Sequence, residues 1–196
     1  MEVQRKMKSN TFKEYIQPVV VLVAICLVMT FALAYVNSIT APIIADNAAK
    51  SADAARAELL PAASTFEQYD GDMVVVDPDK IYVSDCYVAK GIGMVVTVDT
   101  KSFGGILTEM VGIDNTGAIT GVKVISHADT KGLGTKAHDS KYLEQQYKGK
   151  TELAAADNIK GDPAVNHVSG ATISSNAVYQ GVCAALEQYK TMGGAN

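Results

Sequence analysis

Two short runs hold most of the residues whose types and spacing could do chemistry. The first is His127-Ala128-Asp129-Thr130-Lys131-Gly132-Leu133-Gly134 and the second is Ser169-Gly170-Ala171-Thr172-Ile173-Ser174-Ser175-Asn176. In the first, Gly132 and Gly134 flank Leu133, so the backbone can approach a flat ligand closely while the leucine covers an apolar ring. Thr130 and the loop amides offer hydrogen bonds to ring carbonyls and nitrogens, and His127 and Asp129 border them. A glycine-rich turn with a capping aspartate has the same composition, so this run alone defines no site. In the second, small residues at a helix start leave backbone N–H groups unpaired and facing outward. Those amides and the positive end of the helix dipole favour a bound phosphate. Ordinary N-capping by Ser174 or Thr172 fits the same residues equally well.

Other chemistries have less to stand on. The second run lacks the lysine of a P-loop, and no GxGxxG follows a strand. Ser174 and Ser175 sit in no GxSxG elbow and have no base partner. The histidines are His127, His138 and His167, and they form no cluster with zinc spacing; His138 opens a helix and reads as solvated. Glu58, Glu67 and Glu109 are scattered, with no second carboxylate placed for acid–base work, and Asp77-Pro78-Asp79 reads as a turn. Cys26, Cys86 and Cys183 match no CxxC or iron–sulfur spacing. All three read as structural thiols, Cys183 on the buried face of a helix, with a Cys86–Cys183 disulfide left open. No catalytic residue and no metal ligand set is expected. A net charge of −4, no dense basic patch beyond the first residues and no Trp give no reason to expect a nucleic-acid partner.

These loops need elements to hold them. The 196 residues suffice for one globular domain and an appendage. Runs rich in β-branched residues predict strands over 73–76, 94–98, 106–113 and 119–125, with Asp114-Asn115-Thr116-Gly117 as hairpin turn. Residues 139–147 read as a short helix. Residues 174–190 read as a longer one, whose Val178, Val182, Leu186 and Tyr189 form a single stripe facing the sheet. The fold class is α+β, an antiparallel sheet packed with helices.

The appendage is equally legible. From Val19 to Val36 no residue is charged, and the stretch makes about 27 Å of helix, close to the hydrocarbon core of a bilayer. It exceeds the apolar core of a signal peptide, so a retained anchor is expected although Ala32-Leu33-Ala34 resembles a cleavage site. Arg5, Lys6, Lys8 and Lys13 precede it and no Lys or Arg lies between Asn37 and Ala49, which puts the N-terminus in the cytoplasm. The expected organisation is a basic cytoplasmic N-terminus (1–17), a transmembrane helix (18–37), a stalk helix and linker (38–69) ended by Pro61, and an extracytoplasmic domain (70–196).

Together the two loops carry a resemblance. Ser169-Gly170-Ala171-Thr172 with Ser174-Ser175 resembles the flavinylation motif of the FMN-binding domain family, and 127–134 is similar to that family's HxETPGLG loop. Phe103-Gly104-Gly105 and the hairpin through Gly117 match the approach strands, over roughly Tyr87 to Leu186. Asp129 and Lys131 stand where the family loop usually has Glu and Pro, and Asn166 where the motif commonly carries Asp. Within the family, one membrane helix, a short stalk and this length most resemble the G subunit of Rnf-type ion-translocating ferredoxin–NAD oxidoreductase complexes. The C subunit of the sodium-pumping NADH–quinone reductase is a usually longer relative.

The resemblance implies FMN joined to Thr172 by a phosphoester bond, attached by a separate flavin transferase. It implies cofactor contacts from Ser169, Gly170, Ala171, Ile173, Ser174, Ser175, His127, Asp129, Thr130, Gly132, Leu133 and Gly134. It further implies electrons arriving from iron–sulfur-bearing membrane subunits and leaving to the flavin-bearing D subunit, with no independent catalysis by this chain. The alternative is a membrane-anchored binding or structural domain that holds FMN or phosphate non-covalently and has no redox role.

Overall fold

The structure, a computed structural model, describes residues 2–154 and 157–194; for residues 2–14 only the backbone is described. The basic side chains at 5, 6, 8 and 13 therefore lie outside the described side chains. The chain divides into two compact units, Met1–Lys50 and Ser51–Asn196.

Every described residue of the first unit is helical. All belong to α1 (Glu2–Leu59), which runs through Pro18 and Pro42 without a break. Within α1 an 18-residue window reaches a mean hydropathy of 2.9, so the helix is long and apolar enough to cross a membrane. Its large apolar side chains from Val19 to Val36 are at least half exposed to the surroundings, as a lipid-facing helix requires. The residues read as the span and as the stalk helix both fall within α1, and Pro61 lies beyond its end.

The second unit is built on an antiparallel sheet of β1 (Glu67–Gln68), β2 (Val75–Asp77), β3 (Ile81–Ala89), β4 (Gly93–Lys101), β5 (Ile106–Asp114) and β6 (Ile119–Ser126). The order is β1-β3-β4-β5-β6, with β2 pairing the far part of β3. Two helices follow, α2 (Ser140–Tyr147) and α3 (Thr172–Thr191). Alternation sorts the side chains of the central strands. Met94, Val96, Val98, Leu107, Val111 and Ile113 point to one face, where they pack with Val178, Val182 and Leu186 of α3. Val95 and Met110 point to the other face, where Ala55, Leu59 and Leu60 cover them.

That second cover comes from the last turns of α1, which makes the unit start at Ser51. Gly112 and Gly121 are register partners on β5 and β6. A Cβ at Gly112 would come within 2.9 Å of Leu59 Cβ, so the bare strand surface is what admits the leucine. The Thr120 hydroxyl then donates to the Leu59 carbonyl at 2.6 Å, closing the C-terminus of α1 onto the sheet.

The long strand β3 has no counterpart among the expected strands. The pairing of β3 with β4 shifts register between Val83 and Asp85, so inward residues are Ile81 and Val83 before the bulge and Cys86 after it. The bulge breaks the period-two pattern that would announce a strand. Cys86 is buried, with its sulfur 4.0 Å from that of Met94 and 3.9 Å from that of Met192. Burial first, and then the charge of Asp85, push its thiol up to about 12. No disulfide joins it to Cys183, which is half-buried rather than fully covered.

Candidate functional site

The two loops meet at the start of α3. A Cβ on Gly170 would lie 3.3 Å from Leu133 Cδ1, and one on Gly134 would lie 2.9 Å from Ser174 Oγ. Between them is an open cleft of about 290 Å³, lined by Phe103, Leu133, Gly134 and residues 170–174. Phe103 is 70% exposed, Ile173 56% and Leu133 47%, so three large apolar side chains surround the cleft with nothing covering them. Thr172 is half-buried within this ring. Gly170 sits at φ +81°, where an L side chain is strained, and this turns the chain sharply into the helix.

The helix start is uncapped. Ala171 is the N-cap residue and makes no side-chain cap hydrogen bond. Ser174 and Ser175 do not cap it either, since both are buried beneath the first turn. Ser175 Oγ accepts from the Val168 amide at 3.0 Å, and Ser174 faces the Asp129 carboxylate. Of the two readings the sequence leaves open, N-capping by Thr172 or Ser174 is not what the chain does. The first-turn amides and the positive helix end remain available to an anion, with the Thr172 hydroxyl among them.

Of the remaining residues expected at the site, Ser169, His127, Thr130 and Gly132 are exposed outside the cleft lining, while Asp129 lies buried behind it. Thr130 and Gly132 close their own turn: the Thr130 carbonyl accepts from Leu133 and the Gly132 amide donates to Thr135 Oγ1 at 2.9 Å. That turn, with Gly132 at φ +76°, presents Leu133 to the cleft.

Asp129 works from behind. Its Oδ2 accepts from Ser102 Oγ at 2.6 Å and its Oδ1 from the Gly104 amide at 2.8 Å. Burial raises its carboxyl, but hydrogen bonds from Ser102, Gly104 and Ser174, with the charge of His138, outweigh that and hold it below the ordinary value. His138 is a correction to the sequence reading. Its side chain is 5% exposed, not solvated, and its Nε2 lies 3.1 Å from Asp129 Oδ2, short of hydrogen-bond alignment, a contact that becomes an ion pair when the ring is protonated. Burial and the neighbouring His127, whose ring centroid is 4.5 Å away, lower its pKa against the pull of Asp129. Ser102 and His138 are the residues that sequence reasoning missed. His138 sits within reach of Asp129 only because the 3-10 turn Gly134–His138 folds back.

Asn166, before the helix, is held by its main chain: its amide donates to Gln146 Oε1 at 2.8 Å and its carbonyl accepts from the Tyr142 hydroxyl. Among the described residues no group of His, Cys, Asp and Glu could hold a metal ion.

The site is thus an uncapped helix start ringed by apolar side chains on an antiparallel sheet, in a chain that also carries a helix long and apolar enough to cross a membrane. Residues 102–187 match the profile of the FMN-binding domain. It is 29% identical to the G subunit of the Na(+)-translocating ferredoxin:NAD(+) oxidoreductase complex of Acetobacterium woodii, over 98% of this chain and 99% of that one. It is 27% identical to the G subunit of the proton-translocating ferredoxin:NAD(+) oxidoreductase complex of Clostridium ljungdahlii, over 86% and 88%. The G subunit of the ion-translocating oxidoreductase complex of Methanosarcina acetivorans is 28% identical over 93% and 98%. A crystal structure of Shewanella oneidensis NqrC aligns at a TM-score of 0.43 and 20% identity, over 59% of this chain and 68% of that one, too weak a likeness to bear on function.

Proposed function

We propose that this chain is the membrane-anchored, flavin-carrying electron-transfer subunit of an Rnf-type ferredoxin–NAD oxidoreductase complex, with FMN esterified to Thr172. The observation that carries the reading is the helix start. Thr172 lies at uncapped amides, beside exposed Phe103, Leu133 and Ile173, inside an FMN-binding domain. The residues fit the group. The first-turn amides of α3 would take the phosphate, and the Thr172 oxygen would carry the ester. The apolar ring would lie against the flat cofactor, and Gly170 leaves room for Leu133, which any Cβ there would crowd. When bound, FMN supplies one- and two-electron chemistry, and the protein sets its position and solvent access. A cofactor tied to the chain cannot diffuse away, which suits a relay between protein partners.

On this reading α1 spans the membrane with the basic residues of its N-terminus inside and the sheet domain outside. The partners are iron–sulfur-bearing membrane subunits as donors, the flavin-bearing D subunit as acceptor and a flavin transferase for maturation. Roles for Ser169, Thr130 and His127 near the cofactor belong to the same proposal. Denaturing electrophoresis tests it. After co-expression with the transferase, the wild-type band fluoresces under ultraviolet light and carries the added mass of an FMN ester, and Thr172→Ala loses both. A dark wild-type band of unmodified mass overturns the covalent reading and leaves a domain that binds FMN or phosphate reversibly.

A further inference from the structure

The cleft is made of three separate stretches of chain: the β4–β5 turn bearing Phe103, the loop bearing Leu133 and the start of α3 bearing Thr172 and Ile173. Among the described residues no ladder of backbone hydrogen bonds ties them to each other near the cleft. What they share is one side chain. Asp129 accepts from Ser102 and Gly104 on either side of Phe103, and Ser174 faces it from two residues beyond Thr172. It belongs to the loop of Leu133, and its own side chain is 1% exposed. We propose that Asp129 is the positioning residue of the flavin site, a buried clasp that sets the walls of Phe103 and Leu133 against Thr172 without touching the cofactor.

The cage around the clasp is tight. A Cβ on Gly104 would lie 2.1 Å from the Ala128 carbonyl oxygen, and one on Gly134 would lie 2.8 Å from Asp129 Cβ. Both glycines let the loops close on an aspartate, and a longer carboxylate would have to open them. His138 at 3.1 Å completes the cage with a cationic or neutral imidazole, backed by His127. An ionised carboxylate suits the clasp best, because it accepts from the Ser102 hydroxyl and the Gly104 amide at once in charge-assisted bonds, whereas an amide could keep both contacts only by donating its N–H to Ser102 Oγ in a weaker, uncharged bond.

The inference rests on FMN at Thr172, and its test separates the two. The full chain is loaded through the transferase, and Asp129→Asn and Ser102→Ala are compared with wild type. Intact mass reports attachment; visible circular dichroism of the flavin and iodide quenching of its fluorescence report how firmly the walls hold it. Unmodified wild-type mass sinks the underlying reading. If wild type is loaded, loss of a hydrogen bond to an ionised group predicts about tenfold more of the loosened site. This appears as weaker flavin dichroism and easier quenching in both variants, the smaller change in Ser102→Ala, with far-ultraviolet dichroism unchanged. Dichroism and quenching equal to wild type in Ser102→Ala overturn the clasp, even where Asp129→Asn fails to fold.

Discussion

Two buried carboxyl groups face α3, Asp129 at its start and Glu109 beside Gly181 at its middle, and they behave in opposite ways. Asp129, among the loops, has donors for both oxygens and is held ionised. Glu109, in the middle of β5, is fully buried with neither oxygen hydrogen-bonded among the described residues, and burial pushes its carboxyl well above the ordinary value. The backbone of Glu109 is already fixed by β4 and β6, so its side chain has nothing left to position. The loops have no such ladder, and there a charged acceptor does the holding. An ionised carboxylate appears where separate segments must be joined, and a neutral acid where the sheet has done the joining.

The largest effect should come from removing the charged one. Asp129→Ala strands the Ser102 hydroxyl and the Gly104 amide as buried donors and should cost about 3 kcal/mol. Urea unfolding followed by far-ultraviolet dichroism measures it. A value within about 0.5 kcal/mol of wild type, the range of an ordinary surface substitution, would make Asp129 no different from a solvated residue and end the contrast with Glu109.

The neutral site predicts a steric effect instead. Gly181 of α3 lies against the Glu109 carboxyl, and a Cβ there would come within 2.0 Å of Oε1 and 3.1 Å of Thr100 Cγ2. Gly181→Ala should therefore destabilise by about 2 kcal/mol through overpacking. Most of that cost should vanish when Glu109 is itself alanine, which a double-mutant cycle reads as coupling between the two positions. Strict additivity would mean that the glycine is there for some other reason than the acid.

Much of this arrangement could be read from the residues, and its failures have identifiable causes. β4, β5 and α3 announce themselves because their apolar residues repeat with an unbroken period and face one core, and β6 is legible from its β-branched run despite register shifts of its own. β3 hides because its bulge flips the phase midway. Ser174 and Ser175 look like ligand-facing hydroxyls, yet they lie four and three residues before Val178 on the stripe that packs on the sheet, and that stripe buries them. Thr172 and Ile173 fall off the stripe and stay accessible. Asp129 could be marked as a site residue, but its partner Ser102 is far away in sequence, and only the folded loops bring the two together.

The smallest effect is the one that most sharply separates the two carboxyls, because its sign is opposite for each. Glu109 has a raised folded value, so its contribution is fully present below the unfolded value near 4.5 and is lost as pH rises toward the folded one. Glu109→Gln removes that dependence. It should match wild type at about pH 4 and gain under about 1 kcal/mol over it by about pH 5, the advantage growing further with pH. Asp129 is lowered, so its contribution is present above the unfolded value of 3.8 and is lost as pH falls through the folded one. Asp129→Asn should therefore be destabilised at neutral pH and converge on wild type in acid. Unfolding curves of both variants across this range decide the matter: the differences from wild type should narrow toward acid in both cases, with opposite signs. A Glu109→Gln variant that tracks wild type at every pH would mean that Glu109 is hydrated, and the two carboxyls would no longer differ in kind.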